Sequence, residues 1–362
     1  FSAEILSEFD RCGVQVFPYN DIYNSVKNIS AGSAILLDPE RVNDILFHSI
    51  PDGVSVIERE NPEVLMKCRK NDVEIANIKN AHLKDAVAHT KFMYWLKNQI
   101  GREKITEITA SEKLEEFRAG QEGYLGASFA PISAFAEHGA IVHYSATPES
   151  DAELFKGKML LTDTGGHYLE GSTDITRTVA LGQISEKEKE DFTLTARAML
   201  RLMNTVFLYG CSGVSLDLAA RSVFWKERVN FNHGTGHGVG YLLNVHEPPV
   251  SFRWKEGRTP APTLEKNMII TDEPGIYIEN SHGIRLENEL LVCEDVKNRY
   301  GQFMHFEPLT FVPIDLDALL PDRMNEEERQ MLNDYHRQVY EKVAPFLTLE
   351  EQKWLRNYTR PI

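Results

Sequence analysis

Four acidic residues, set in two similar stretches, invite the first chemical reading of this chain. Leu160-Leu161-Thr162-Asp163-Thr164-Gly165-Gly166 returns through Gly171-Ser172-Thr173-Asp174-Ile175-Thr176-Arg177-Thr178. Ile269-Ile270-Thr271-Asp272-Glu273-Pro274-Gly275 returns through Gly283-Ile284-Arg285-Leu286-Glu287-Asn288-Glu289. Each is an apolar strand, an acid, a glycine-bearing turn and a second strand with another acid. Antiparallel pairing sets Asp163 opposite Asp174 about a turn near Tyr168-Leu169, and Glu273 opposite Glu287 about one near Asn280. Opposed residues share a face, with Cβ atoms about 5 Å apart. Carboxylates that close repel, and a pKa rises sharply unless a cation lies between them. A lone aspartate at a strand end is more often a turn cap than a ligand. Two acid-bearing hairpins of matching design point instead to a metal site.

The histidines add to it. Phe231-Asn232-His233-Gly234-Thr235-Gly236-His237-Gly238-Val239-Gly240 is followed by Asn244-Val245-His246-Glu247-Pro248-Pro249. Glycine at alternate positions lets backbone approach a ligand and leaves the imidazoles unshielded. A single histidine is more often structural, but three in so short a glycine-rich stretch are not. No dinucleotide fingerprint can be drawn through these glycines, and Val250 stands where a His-Glu-x-x-His zinc motif needs its second histidine. Four carboxylates and one imidazole form an oxygen-rich donor set, which suits a pair of hard divalent ions, manganese before zinc or cobalt. Two ions about 3.5–4 Å apart, bridged by carboxylates, can hold a shared hydroxide as a nucleophile near neutral pH. That is hydrolytic chemistry.

The elements that would position these residues are legible in the surrounding pattern. Strands are expected at Met159–Thr162, Ile175–Ala180, Asn267–Thr271 and Leu286–Val292. A long helix should run from a capping box at Asn71 and Glu74 to just before Gly101. A second should run from Thr109-x-x-Glu112 to Gly120, a third from Ser185-x-x-Glu188 and a fourth over roughly 215–229. The tail has box-like starts at Asn325 and Thr348, with Leu332, Tyr335, Val339 and Val343 on one face. This mixture gives an α+β domain over residues 61–362, with a helical tail from about residue 310. Residues 1–60 read instead as β-α-β-α-β, with strands at Val14–Phe17, Ala34–Leu37 and Val54–Ile57 and helices at Asp21–Ile29 and Glu40–His48.

Composition excludes several classes. The chain has 362 residues, 42% of them apolar and 26% charged, which is the balance of a globular protein. Fifty-four acids against 39 bases leave a formal charge of −15, so a broad nucleic-acid surface is not expected. No apolar run approaches the roughly 18 residues that cross a bilayer, so no membrane partner is expected either. Four scattered cysteines without CxxC spacing read as reduced thiols of a cytoplasmic protein, and no signal peptide precedes them.

TDTGGHYLEGSTDITRT, HGTGHGVGYLLNVHEPP and TDEPGIYIENSHGIRLENELLV closely resemble the signature blocks of the aminopeptidase P (X-prolyl aminopeptidase) branch of the pita-bread metallopeptidases. FEPLTFVPID and WLRNYTRPI resemble the tail of that branch's long, three-domain cytosolic type. The resemblance implies a pita-bread catalytic domain preceded by a partial creatinase-type α/β domain, with earlier N-terminal sequence absent. It makes Asp163, Asp174, His237, Glu273 and Glu287 the ligands of two metal ions, with Asp174 and Glu287 bridging. Asp163 would serve one ion, and His237 with Glu273 the other. Glu273 would also shuttle the proton. His143, His233 and His246 would contact the scissile carbonyl, the gem-diolate oxygen and the proline side of the substrate. Tyr277 would line the site and Arg285 orient the carboxylates. The implied reaction is release of the first residue from peptides with proline second, by a homodimer associating through its tail. A prolidase restricted to Xaa-Pro dipeptides is the alternative enzyme. A metal-free scaffold on the same fold is the alternative from another class.

Overall fold

The computed structural model describes residues 1–257 and 260–362. They form two compact units, Phe1–Met66 and Lys67–Ile362. In the first, Ala34–Leu37 and Ser55–Glu58 pair as parallel strands, with helices Ala3–Arg11 and Asp21–Lys27 before them. Two expectations fail here. Val14–Phe17 is not a strand: among the described residues no strand pairs with it, and Val14, Val16 and Phe17 are exposed. The helix expected over Glu40–His48 shrinks to Asp44–Phe47, because Asp38-Pro39 opens a turn and Asn43 supplies the N-cap.

In the second unit helices and antiparallel strands alternate irregularly, as an α+β domain. Asn71 caps the 28-residue helix Asp72–Gln99 through a full capping box with Glu74. Ser185 with Glu188, Asn325 with Glu328 and Thr348 with Glu351 do the same for Glu186–Met203, Glu326–Val343 and Leu349–Tyr358. Each box satisfies two orphan amides at a helix start, which is why the pattern is readable in sequence. The helix expected to be capped at Thr109 is capped three residues earlier, at Thr106, and starts at Glu107, with Thr109 the cap's reciprocal partner.

A six-stranded antiparallel sheet runs in the order His246–Phe252, Gly236–Val239, Ile269–Asp272, Asn288–Asn298, Gly301–Pro308 and Phe207–Leu208. A three-stranded sheet has Lys158–Thr164 between Ile132–Phe135 and Ile175–Leu181. Ile78, Val239, Val245, Ile269, Leu291 and Leu309 bury one cluster joining the long helix to the larger sheet.

One buried guanidinium ties the sheets to the tail. Arg177, fully buried, donates to the carbonyls of Thr176, Glu287, Val312 and Pro313, to Asn288 Oδ1 and to the Tyr335 hydroxyl. Among the described residues no carboxylate forms an ion pair with it, and burial lowers its pKa. Replacing Arg177 by Met would leave several buried carbonyls without donors. We expect a loss of about 3–5 kcal/mol, read as a lower urea midpoint at unchanged slope. A shift under about 1 kcal/mol would rule out this joint.

Candidate metal centre

The two hairpins place their acids by the same device. Thr164 pairs with Ile175 and, beyond a gap, His167 pairs with Ser172 in the same register. The ladder opens between them, at Gly165 and Asp174. Gly165 has to be glycine: a Cβ there would sit 1.8 Å from the Thr173 carbonyl oxygen. Asp163 pairs with Thr176, so the expected direct pairing with Asp174 is off by two residues. The turn centres one residue later than expected, at Leu169-Glu170. A diagonal neighbour still lies on the same face, and the two acids stay together. In the second hairpin Asp272 pairs with Asn288 and Gly275 with Arg285. Glu273 and Glu287 therefore face each other across the gap, about the expected centre at Asn280. Their freed amides donate elsewhere, Glu273 N to Thr235 O at 2.8 Å and Glu287 N to Thr176 O at 3.1 Å.

His237 comes from the strand Gly236–Val239, wedged between two neighbours. A Cβ on Gly236 would meet Thr271 O at 1.8 Å, so only glycine allows the approach. His237 Nδ1–H donates to Gly238 O at 2.9 Å, which turns Nε2 toward Asp174 Oδ2 at 3.4 Å and Glu273 Oε1 at 3.6 Å. Donor atoms of Asp163, Asp174 and Glu287 lie within 4.8 Å of one another. So do those of His237, Glu273 and Glu287, and those of Asp174, His237 and His246. Asp163 Oδ1 is buried with no hydrogen-bond partner. An unpartnered buried carboxylate oxygen, three further carboxylates and an imidazole nitrogen gathered at one space fit a divalent pair.

Electrostatics agrees. Burial, then the Asp163 and Glu273 charges, push Asp174 up to about 7 against the pull of His237. Burial raises Glu273, and burial with its acidic neighbours raises Glu287. Burial would lower His237, but its bond to Asp174 and the Glu273 charge outweigh that and raise it to about 9. A proton is standing in for a cation.

The remaining expected residues line one cavity of about 350 Å³ with these five, except Tyr277, which lies just behind it. Arg285 donates to Asp163 Oδ2 at 2.5 Å and to the Tyr277 hydroxyl at 2.8 Å. His233 gives Nδ1–H to Gly234 O and takes the Tyr277 hydroxyl at Nε2, so both its nitrogens are engaged. Burial lowers its pKa to about 4. His246 stands at the open side of the cavity, its ring 4.3 Å from that of His237, and partial desolvation followed by the His237 charge lowers its pKa. His143 is exposed beyond the turn Ala136–Ala140.

Several residues that shape the site gave no motif. Glu107, fully buried, accepts from Phe135 N, His138 Nδ1, the Tyr144 hydroxyl and Ala152 N, and so pins both ends of the segment carrying His143. The expected start at Thr109 hid it, because Glu107 opens the helix. Glu289, also buried, takes Asp174 N–H at 2.7 Å, with His82 Nε2 3.1 Å from its other oxygen. Asp85 on the same helix holds Arg118 and the Thr173 hydroxyl beside Asp174.

Comparison with known proteins now bears on this centre. Residues 76–294 match metallopeptidase family M24, residues 302–362 its C-terminal region and residues 1–74 the creatinase/prolidase N-terminal domain. The chain belongs to metallopeptidase family M24, and its fold is the family's pita-bread fold. It is 35% identical over 396 residues to aminopeptidase P2 of Arabidopsis thaliana, covering 100% of this chain and 55% of that protein. The X-prolyl aminopeptidase of Caenorhabditis elegans, described as a cytosolic enzyme with a di-nuclear active site, superposes with a TM-score of 0.92 at 31% identity. That match covers 100% of this chain and 60% of the other. An Xaa-Pro dipeptidase of Bacillus anthracis superposes at 0.64 with 25% identity, over 88% of this chain and 78% of that one. The chain thus spans little more than half of the curated plant relative.

The raised carboxylate pKa values set a pH dependence. A group whose folded pKa is raised favours the folded state below its ordinary value, near 4, and loses that contribution as pH climbs through the raised value. For Asp174 the window runs from about 4 to about 7. A metal ion has to displace those protons. The rise in melting temperature on adding manganese should therefore be larger at pH 8 than at pH 5.5. Equal increments at the two pH values would contradict the assignment of these carboxylates as ligands.

Proposed function

We propose that this chain is an X-prolyl aminopeptidase, hydrolysing the N-terminal X-Pro bond of peptides at two divalent ions held by Asp163, Asp174, His237, Glu273 and Glu287. The convergence of these five side chains on one cavity walled by three histidines carries the reading. When bound, such ions supply Lewis acidity and a water that ionises near neutral pH. An oxygen-rich set favours manganese.

The chain's own groups do the rest. Glu287 and Asp174 each belong to donor groups on both sides of the centre, which suits bridging. Glu273, its pKa raised by burial, can take the water's proton and pass it to the departing proline nitrogen. His246 and His143, on the open side, are placed to hydrogen-bond the scissile carbonyl and the charge that develops on its oxygen. His233 has no free nitrogen and offers its ring to the substrate's proline side. Phe129, Ile132 and Val142 give the same cavity an apolar wall for a pyrrolidine. The X-Pro bond has no N–H to donate, so a site that cuts it cannot depend on that donor.

A cytoplasmic location is supported by the worm protein's description as cytosolic; among the described residues no helix is long and apolar enough to cross a membrane. A homodimer through the tail from Asn325 is part of the reading, and a monomer in sedimentation would remove it. The dipeptidase neighbour favours one second reading, a prolidase. Arg-Pro-Pro separates the two, since a prolidase leaves it intact.

Manganese-loaded protein should release arginine from Arg-Pro-Pro, and chelation should stop it. Glu273→Gln should lower kcat by about 10²–10⁴ with the fold unchanged by circular dichroism. Near-native turnover in that variant would remove the proton-carrier role.

A further inference from the structure

His233 stands in a stretch that has no ladder of its own. Residues 229–235, between the helix Gly213–Lys226 and the strand Gly236–Val239, form neither helix nor strand. Carbonyls in such a stretch need donors from elsewhere. Arg221, fully buried on that helix, supplies them. Its Nη1 donates to Phe231 O at 2.8 Å and Asn230 Oδ1 at 3.0 Å, and its Nη2 to His233 O at 3.2 Å and Thr235 Oγ1 at 3.1 Å. Its Nε donates to Asp217 Oδ2 at 2.7 Å, one turn back along the helix. The Thr235 hydroxyl closes the circuit by donating to Asp217 Oδ1 at 2.5 Å. The guanidinium also lies 3.9 Å from the centre of the Phe231 ring, and that ring is 4.9 Å from the ring of His233.

Stability alone does not account for this cluster. A buried ion pair is often no better for folding than apolar residues of the same volume. What a guanidinium adds is direction, because its N–H donors point along a fixed planar fork. Here the fork is turned on the turn that carries His233. The neighbouring metal ligands have anchors of their own. The His237 amide donates to Thr271 Oγ1 at 3.0 Å, and the Thr235 backbone is held by Phe252 O and by the Glu273 amide, each at 2.8 Å. Loosening the Thr235 side chain therefore frees residues 231–233 before it frees the metal centre.

We propose that Asp217, Arg221 and Thr235 are positioning residues that fix the His233 imidazole against the proline side of the substrate. The inference rests on the reading of His233 as a substrate group given above. None of the three touches the cavity; they act through His233.

Replacing Arg221 itself risks the fold, so the hydroxyl of Thr235 is the better probe. Binding of Pro-Ala and of Ala-Ala to the manganese-loaded full chain would be measured by calorimetry in the native protein, Thr235→Val, Thr235→Ser, His233→Phe and the double variant Thr235→Val with His233→Phe. Neither dipeptide contains an X-Pro bond, so no turnover intervenes. The native chain should prefer Pro-Ala. Thr235→Val should cut that preference roughly five- to tenfold, the scale of one buried hydrogen bond, and Thr235→Ser should restore it. In the His233→Phe background the valine should change the preference no further, as coupling between the two sites requires. An unchanged preference in Thr235→Val, or no measurable binding of Pro-Ala to the native chain, would overturn the positioning role. So would an equal loss with and without the imidazole, because the clamp would then act elsewhere. Arg-Pro-Pro hydrolysis in the same preparations separates the two readings. Cleavage with an unchanged preference sinks the clamp alone, and the expected loss of preference without cleavage sinks the hydrolase alone.

Discussion

Asp163, Asp174, Glu273 and Glu287 repel one another across a cavity where two of them are almost fully buried. At 4 Å and an effective dielectric constant of about 20, each close pair of charges costs roughly 4 kcal/mol. The surroundings answer this only in part. Arg285 neutralises Asp163, Thr176 and Thr271 hydroxyls reach Glu287 and Glu273, and a proton settles on His237. What remains is an arrangement that favours divalent cations. The centre is thus a balance in which the fold supplies the cost of assembly and the ions its relief.

That cost explains the investment in buried polar structure behind the site. The long helix turns His82, Asp85 and His89 inward at 0% exposure, at a spacing normally given to apolar residues. Asp85 serves the segment that carries Asp174 by hydrogen bonds to Thr173 and Arg118, and His82 stands 3.1 Å from Glu289, which takes the Asp174 amide. Glu107 fixes the His143 segment in the same way. Buried polar groups are costly when half-satisfied and rigid when fully bonded. A site that has to hold like charges together needs the rigidity.

Much of this was legible in the sequence. The capping boxes, the strands, the second hairpin's register and the grouping of acids with His237 all follow from local rules, because each rests on residues near in sequence. What was not legible rests on distant contacts. Val14–Phe17 has the composition of a strand, but a strand also needs a neighbouring edge. Thr106, Thr109 and Glu112 offer two overlapping helix starts, and the choice is made by Glu107, whose four bonds reach residues 28 to 45 positions further on. The first hairpin's centre shifts by one residue because the ladder tolerates a gap at Gly165, which a pairing rule does not foresee. Arg177 and Glu289 lie inside the signature blocks, but nothing local assigns them a role; their roles exist only once the sheets and the tail have met.

The unbroken register across each gap has a consequence for how such a chain can change over generations. Each hairpin resumes, beyond its pair of acids, in the step it had before them. Because side chains alternate between faces, adding or deleting a single residue within either arm would turn one acid away from its partner. Length can vary freely only at the tips, outside the ladders, or in steps of two. The two hairpins obey this although their acids stand at different separations along the chain. The surrounding loops are open to insertion and decoration, while the spacing inside the arms behaves as a quantised quantity, inherited whole or lost together with the site.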